Sequence, residues 1–497
     1  MPILVISALL IGAGLRFHRL DGQVFWHDEV HTALRIFGFS TEEFVTAIFD
    51  GRRHTAEELQ SFQRPDDRKG LKDTFASLSG HPEHSPLYYL LARISAPFFD
   101  PPLAGARFLA ALFGLLIVPA VFRFTRDLLP EMPAAPWVAV ILASLSPLFI
   151  LYSREARQYT LWTLVTVMCS IQFLSLWQQR SQNWAWYGVL ISVGLYSHLM
   201  FFWVIPVHAS IIFLDPSVRK LRLKFIKSVS LGILSFTPWL WVLYRGIQDL
   251  QTYTDWMKRP IPLGELATQW CLNVNRLLFD LPDYPGLLFI SVPVVVGATF
   301  RTLWRCNGKA ALLLGLTVLS GILPVVIPDL VKGGQRSQMA RYMMPALLCL
   351  EICLAGVLAQ AVTGNRKTRI FPYSLLLLMF IATASFGNAF FKHGTWWNKF
   401  SSYYNPQIAE RINRSPNPLI FSDDFTTNPG DMLSLSYLVK PQTEFILVTG
   451  EKIKRLPKGR EIFVLSPDEK FLDVLTRGYA MRLNPVGEIP WWYFVRN

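Results

Sequence analysis

Residues 2–20 read PILVISALLIGAGLRFHRL, and the segment Phe25-Trp26-His27-Asp28-Glu29-Val30-His31 follows a few residues later. The first stretch is an apolar run of nearly the length that crosses a bilayer, about 20 residues. The second places two adjacent carboxylates directly beyond that run. Charge at the boundary between water and membrane is costly and is typical of functional groups. The pair therefore predicts a membrane protein whose chemistry takes place at this boundary.

The composition agrees with a membrane protein. Of the 497 residues, 52% are hydrophobic and only 17% are charged, whereas soluble domains carry about 25% charged residues. Apolar runs of membrane length recur along the chain and predict an α-helical polytopic membrane protein with about 11 transmembrane helices. The predicted spans are 3–20, 103–122, 136–153, 158–177, 184–200, 200–214, 229–245, 286–303, 310–328, 343–362 and 370–390.

Basic residues orient these spans. Arginines and lysines recur in alternate loops, such as Arg219 to Lys227 and Arg366 to Arg369, which the positive-inside rule places in the cytoplasm. The amino terminus is then cytoplasmic, and the long loop 21–102 lies outside. The formal net charge of +13 is explained by these loops and by anionic lipid headgroups. We therefore expect the lipid bilayer as a partner and no nucleic acid.

The residues after the last span differ in composition. Short β-like runs occur at 419–421, 445–448 and 462–465, with helical patterns between some of them. The chain therefore divides into a transmembrane domain, 1–390, and a small extracytoplasmic α/β domain, 391–497. Within the first outer loop, Ser85 to Leu91 predicts a short helix in the membrane interface, with Tyr88 and Tyr89 at headgroup level.

Several chemically capable side chains lie at the outer ends of the predicted spans. A carboxylate can accept the proton of an acceptor hydroxyl, and arginines bind phosphate through charge-assisted hydrogen bonds. A carboxylate together with a histidine can bind a divalent ion. This set suits transfer of a group from a lipid-linked phosphate donor. Its members are Asp28, Glu29, His31, Glu83, His84, Arg154, Glu155, Arg157, Tyr159, His198, Arg336, Arg341 and Tyr342.

Five motifs resemble those of the polytopic GT-C-type glycosyltransferases, a superfamily that includes the protein O-mannosyltransferases, the aminoarabinose transferases of lipid A and bacterial relatives. The motifs cover about residues 10–215 and 335–350, and the C-terminal domain lies outside them. They are Arg16 with Trp26-His27-Asp28-Glu29; His84-Ser85-Pro86-Leu87-Tyr88-Tyr89; Ser146-Pro147 with Ser153-Arg154-Glu155-Ala156-Arg157-Gln158-Tyr159; Tyr196-Ser197-His198; and Arg341-Tyr342-Met343-Met344-Pro345.

The resemblance implies a GT-C-like fold and an inverting hexosyl- or pentosyltransferase that uses a polyprenyl- or dolichyl-phosphate sugar. Asp28 would be the catalytic carboxylate, and Glu29 would support it. The resemblance also implies a donor-binding set. Glu83 and His198 of that set would line the donor phosphate or bind a divalent metal ion, an alternative that stays open. The full set is Glu83, His84, Arg157, Tyr159, His198, Arg341 and Tyr342.

Structural explanations compete with these roles. Asp28 and Glu29 also suit the start of a helix, where carboxylates are favoured by the helix dipole. Arg154 and Arg157 also suit interfacial anchors that extend to headgroups. Arg336 competes with Arg341 for phosphate binding.

Departures from the family motifs, such as Ser85 and Ser197, leave the subfamily open. The acceptor could be a lipid, a glycan or a protein hydroxyl at the outer face of the cytoplasmic membrane. Two other functions remain open. One is a transporter or flippase for lipid-linked sugars, although such proteins usually have repeated halves and midplane sites. The other is a non-catalytic subunit of envelope assembly.

Overall fold

The computed structural model of the protein describes residues 1–306, 308–449, 459–466, 468–478 and 480–496. The chain forms two compact units. We call them the membrane unit, Met1–His18, Ser79–Tyr88 and Arg107–Asn388, and the α/β unit, Arg19–Leu78, Tyr89–Ala106 and Ala389–Asn497.

The membrane unit is helical. Three of the helices named here, Leu87–Ser95, Pro102–Leu128 and Arg366–His393, include residues of both units. The other principal helices are Pro2–Phe17, Ala135–Leu145, Pro147–Ser153, Tyr159–Trp177, Trp184–Ser197, Val204–Leu214, Arg222–Arg245, Ile247–Tyr253, Leu263–Asn275, Leu288–Arg305, Gly308–Lys332 and Met344–Thr363. Short 3-10 turns of this unit lie at Leu199–Trp203, Pro216–Leu221, Asp255–Lys258, Pro285–Leu287, Arg336–Gln338 and Ala340–Tyr342, and a further one, Ala96–Phe98, belongs to the α/β unit.

The helices confirm a multi-pass membrane protein but not the expected number of spans. Among the described residues, seven helices are long and apolar enough to cross a membrane, or eight if one bent pair forms a single span. Two further apolar helices, Pro2–Phe17 and Leu199–Leu214, are shorter. The span predicted at 184–200 is a helix of only 14 residues. Helices occur at all eleven predicted positions, but an apolar run does not reveal how much of its length is helical.

The bent pair of helices contains the predicted motif Ser146-Pro147 with Ser153, and Arg16 packs against it. Helices Ala135–Leu145 and Pro147–Ser153 meet at an angle of 57°, because Pro147 has no N–H to continue the first helix. The buried Arg16 side chain donates hydrogen bonds to the carbonyls of Ala143 and Ser144, both at 2.9 Å. It also donates to the Ser153 hydroxyl at 3.2 Å. Arg16 therefore satisfies backbone acceptors at the end of the broken helix.

Replacing Arg16 with methionine is expected to lower the stability of the membrane unit. The variant keeps a long apolar side chain but leaves buried carbonyls without these hydrogen bonds, which costs roughly 1–3 kcal/mol. Thermal unfolding in detergent would measure the loss, with Arg305→Met as the control because Arg305 is exposed. Equal melting temperatures for the two variants would contradict this role.

The α/β unit contains a six-stranded sheet. Its strands are β1 Asp50–Thr55, β2 Pro418–Asp423, β3 Glu444–Val448, β4 Glu461–Leu465, β5 Asn484–Pro485 and β6 Trp492–Arg496, in the order β1-β3-β2-β4-β6-β5. Strands β3, β2 and β4 are parallel, and the outer pairings are antiparallel. The helical segments of the unit are His27–Ile36, Thr41–Ile48, Ala56–Ser61, Leu71–Ser79, Trp397–Tyr404, Asn405–Arg414, Asn428–Ser436, Glu469–Asp473 and Val474–Gly478.

The sheet confirms the predicted α/β character of the C-terminal residues. Five strands of the sheet come from residues 418–496, and the three predicted β-like runs coincide with β2, β3 and β4. The parallel strands are buried along most of their length, as expected for strands covered on both faces. Their apolar core is formed by Leu419, Phe421, Ile446, Val448, Ile462, Val464, Phe471, Leu475 and Val495.

The first loop was expected to belong to the transmembrane domain, but most of it lies in the α/β unit. Strand β1 comes from this loop and pairs antiparallel with β3, with Arg53 opposite Ile446. The short helix of the loop also differs from its prediction. It spans Leu87–Ser95, and Tyr88 and Tyr89 are fully buried rather than at headgroup level. An apolar helix can be covered by protein as well as by lipid, and its sequence does not distinguish the two.

Candidate active site

The residues predicted to form the site divide between the two units. Asp28 and Glu29 belong to the α/β unit. The seven predicted donor-binding residues belong to the membrane unit: Glu83, His84, Arg157, Tyr159, His198, Arg341 and Tyr342.

Asp28 and Glu29 lie in the first turn of helix His27–Ile36, where carboxylates interact favourably with the helix dipole. Their environments differ. Asp28 is half-buried, whereas Glu29 is fully buried. The Glu29 carboxylate accepts a hydrogen bond from the backbone N–H of Trp26 at 3.4 Å and lies 3.2 Å from the Lys399 ammonium. Glu29 is therefore held inside the unit by an ion pair with Lys399, a residue that no sequence motif indicated.

In the membrane unit, the predicted residues Arg157, Tyr159 and Arg341 all lie near His198. Its ring stacks on Trp162 with centroids 4.5 Å apart, and it lies 6.0 Å from the ring of Tyr159. Its Nδ1 accepts a hydrogen bond from the backbone N–H of Met200 at 3.1 Å, which fixes the orientation of the ring. The guanidinium groups of Arg157 and Arg341 are close enough to act electrostatically on His198.

A second set of contacts extends this group. Tyr152 and Tyr159 have ring centroids 5.7 Å apart, and the Arg157 guanidinium lies 5.9 Å from the Tyr159 ring. Glu155, Arg276 and Arg341 all act electrostatically on Tyr152. We call the resulting buried group the arginine cluster. Its members are Tyr152, Glu155, Arg157, Tyr159, His198, Arg276 and Arg341.

Arg276 is the member that sequence reasoning missed, since it lies in a loop without a recognised motif. Its side chain donates to the Asn273 side-chain oxygen at 2.8 Å and lies 3.8 Å from the Asp280 carboxylate. Its backbone carbonyl accepts from Leu148 at 3.0 Å. The last predicted residue, Tyr342, lies beside the cluster, with its ring 5.4 Å from the Arg341 guanidinium.

The arginines that competed for phosphate binding have different partners in the structure. Arg154 is buried and donates to the carbonyls of Leu15 and His18 at 2.9 and 2.8 Å, so it caps helix Pro2–Phe17 and is not an interfacial anchor. Arg336 bonds to the buried carboxylate of Asp329 at 2.8 Å. Arg157 and Arg341, in contrast, belong to the cluster around His198.

Glu83 and His84 form a separate group with His81. The Glu83 carboxylate lies 3.3 Å from the His84 ring nitrogen and 3.6 Å from that of His81. The His81 ring in turn packs on Tyr253, with centroids 4.3 Å apart. Within the described part of the chain, no group of three or more His, Cys, Asp or Glu side chains is arranged to hold a metal ion. Glu83 and His198 are thus not assembled into such a group, and a metal site there stays a prediction.

The arginine cluster has the chemistry of an anion site. Three buried guanidinium groups act electrostatically on a buried tyrosine or histidine. The buried carboxylates near them include Glu155, which acts on the same tyrosine, and Asp280, 3.8 Å from Arg276. Arginine binds phosphate in a planar, bidentate geometry and keeps its charge when buried. A phosphate group therefore fits this arrangement better than a neutral ligand.

Comparison with known proteins relates part of the chain to a family of mannosyltransferases. Residues 82–242 match the family model described as dolichyl-phosphate-mannose-protein mannosyltransferase. This segment contains Glu83, His84, Arg157, Tyr159 and His198. A sequence search of curated proteins finds no match.

Among solved structures, ArnT from Cupriavidus metallidurans bound to undecaprenyl phosphate is similar, with a TM-score of 0.57, 13% identity, and coverage of 99% of this chain and 97% of that one. Its apo structure has a TM-score of 0.56 at the same identity and coverage. The oligosaccharyltransferase of Archaeoglobus fulgidus is more distant, with a TM-score of 0.45, 12% identity, and coverage of 88% and 63%. The two ArnT structures confirm the resemblance to the GT-C-type glycosyltransferases at the level of the fold.

Proposed function

We propose that this membrane protein of GT-C fold is a glycosyltransferase that moves a sugar from a lipid-linked phosphate donor to an acceptor hydroxyl. The buried arginine cluster carries the proposal, because buried guanidinium groups in a multi-pass membrane protein suit the phosphate of a lipid-linked donor. The match to a dolichyl-phosphate-mannose transferase family includes three residues of this cluster, Arg157, Tyr159 and His198, among others. The lipid tail of such a donor can remain in the bilayer while its headgroup reacts.

In the proposed reaction, Asp28 accepts the proton of the acceptor hydroxyl as the oxygen attacks the anomeric carbon. The bond between that carbon and the phosphate oxygen breaks, and the bonding pair leaves with the lipid phosphate. Arg157, Arg276 and Arg341 stabilise the negative charge on the leaving phosphate. Attack opposite the leaving group inverts the anomeric centre. Asp28 then releases its proton to water.

The remaining predicted residues take supporting roles in this proposal. Glu29 holds the first turn of the Asp28 helix through its ion pair with Lys399. His198 and Tyr159 line the phosphate site beside Arg157. Glu83 and His84, which pair with each other, contact the donor headgroup. We place the reaction at the outer face of the cytoplasmic membrane, with a lipid, glycan or protein hydroxyl as the acceptor.

Mass spectrometry of envelope lipids, glycans and proteins tests the function even though the sugar is unidentified. A deletion strain is expected to lose a hexose- or pentose-sized mass from one class of envelope molecule, and the wild-type gene should restore it. An unchanged set of glycosidic products, together with impaired movement of a labelled lipid-linked sugar across membrane vesicles, would instead identify a transporter.

Replacing Arg341 with glutamine is expected to weaken binding of undecaprenyl phosphate about 10- to 100-fold, because a hydrogen bond to a charged group contributes about 1.5–3 kcal/mol. Arg259→Gln is the matched control, since Arg259 is an exposed arginine of the membrane unit. Binding to purified protein in nanodiscs would be measured by isothermal titration. Equal affinities for the two variants would remove Arg341 from the phosphate site.

A further inference from the structure

The first turn of the helix that carries Asp28 is bound by the C-terminal residues of the same α/β unit. A helix begins with backbone N–H groups that have no partner inside the helix. Here the His27 N–H donates to the Ser402 hydroxyl at 3.0 Å. The adjacent Glu29 carboxylate pairs with Lys399, three residues before Ser402. Residues 399–402 therefore supply this turn with both a hydroxyl acceptor for a backbone N–H and a charge partner for Glu29.

Asp431 extends the same set of contacts. Its carboxylate is buried and accepts hydrogen bonds from the hydroxyls of Ser402 at 2.6 Å and Ser401 at 3.1 Å. Burial raises the pKa of the Asp431 carboxyl, while the interactions with His27 and the Ser402 hydroxyl act in the opposite direction. The Ser402 hydroxyl thus connects Asp431 directly to the backbone of His27, the residue before Asp28.

Gly430 permits the close approach of the two helices involved. A Cβ atom at Gly430 would lie 2.9 Å from a nitrogen of the His31 ring and closer still to the His27 ring. The two histidine rings also contact each other edge to face, with centroids 4.5 Å apart. Helix Asn428–Ser436 therefore packs so close to helix His27–Ile36 that a side chain at position 430 would force these histidine rings to shift.

The segment that makes these contacts is also strained. Phe400 has φ +42° and ψ −120°, a backbone conformation that a bulky residue adopts only when its surroundings impose it. Its ring lies 5.6 Å from that of Trp26, the residue that precedes the Asp28 helix. Strained residues of this kind cluster where geometry matters for function.

We infer that Lys399, Ser402 and Asp431 are positioning residues that hold the first turn of helix His27–Ile36 and thereby aim the Asp28 carboxylate at the acceptor hydroxyl. This inference rests on the proposed function and assigns a role to the C-terminal part of the chain. A helix of 10 residues is marginally stable by itself, so its orientation depends on such contacts. A displacement of about 1 Å at a reacting group can reduce a rate roughly 100-fold.

The test compares Asp431→Asn with Asp423→Asn. Both variants replace a buried carboxylate of the α/β unit by an isosteric amide, but Asp423 bonds to Asn428 and Phe425. We expect Asp431→Asn to reduce formation of the envelope product, as identified in the deletion strain, at least about 10-fold relative to Asp423→Asn. Binding of undecaprenyl phosphate should stay within twofold of wild type, and melting temperatures of the two variants should agree.

Hydrogen–deuterium exchange provides a second readout that does not depend on turnover. Amides in the first turn of helix His27–Ile36 should exchange faster in Asp431→Asn than in the wild type. If Asp431→Asn does not fold, the milder variant Ser402→Ala takes its place, and the same faster exchange is expected. Wild-type exchange and wild-type product formation in a folded variant would overturn the inference. If Asp28→Asn kept full activity, the proposed function itself would fail. If Asp28→Asn lost product formation while Asp431→Asn kept it, only the positioning role would be overturned.

Discussion

Replacing Asp28 with asparagine is expected to reduce sugar transfer by about 10²- to 10⁴-fold, the usual contribution of a general base. Asparagine has nearly the same size and remains compatible with the start of a helix, so the fold should be unaffected. The amide cannot accept the proton of the acceptor hydroxyl. Transfer would be measured as restoration of the missing envelope product when the variant gene is returned to the deletion strain.

Two further variants sharpen this experiment. Asp21→Asn removes an exposed carboxylate seven residues earlier and should restore the product as well as the wild-type gene does. Asp28→Glu keeps the carboxylate but moves it by one methylene, so we expect reduced yet measurable transfer. Undiminished transfer by Asp28→Asn, with wild-type amounts of protein in the membrane, would show that Asp28 is not the base.

Replacing Lys399 with methionine is expected to destabilise the α/β unit by about 3–5 kcal/mol, the cost of leaving one partner of a buried ion pair uncompensated. Both side chains of the Glu29–Lys399 pair are almost completely buried, with relative exposures of 0% and 2%. Methionine preserves most of the volume of lysine, so the loss reports the removal of the ammonium beside Glu29 rather than a cavity. Thermal or denaturant unfolding of the purified protein would measure it.

The double variant Glu29→Gln/Lys399→Met distinguishes a charge effect from a packing effect. Glutamine removes the uncompensated charge, so the double variant should recover much of the stability lost in Lys399→Met. Lys440→Met, at an exposed lysine of the same unit, should change stability little. If the double variant is no more stable than Lys399→Met, the Glu29 charge is not the source of the loss.

Much of the architecture followed from local patterns. Apolar runs predicted the positions of the helices, because a bilayer requires continuous apolar surface over a known length. Short β-like runs after residue 418 predicted three strands of the sheet, now confirmed. Motifs with arginine, tyrosine and histidine pointed to Arg157, His198 and Arg341, which the fold brings near one another. Their roles in donor binding stay predictions.

Local sequence patterns do not predict which role a residue takes when residues of the same type lie close together in the chain. Arg154 and Arg157 belong to one motif, yet Arg154 caps a helix and Arg157 joins the arginine cluster. Arg336 and Arg341 lie five residues apart, and only the position of Asp329 decides that Arg336 forms an ion pair. Composition does not distinguish these outcomes, since each depends on a partner supplied by another segment.

The amino-acid sequence by itself determined that this protein is a multi-pass helical membrane protein with an α/β portion, because hydrophobic length and periodicity are local properties of the chain. Tertiary structure alone decided that strand β1 of the first loop joins the C-terminal sheet and that Arg276 joins the arginine cluster. It also decided that Lys399 pairs with Glu29 across 370 residues of sequence. Such pairings arise from long-range packing, in which a buried charge must find its partner wherever the fold places one.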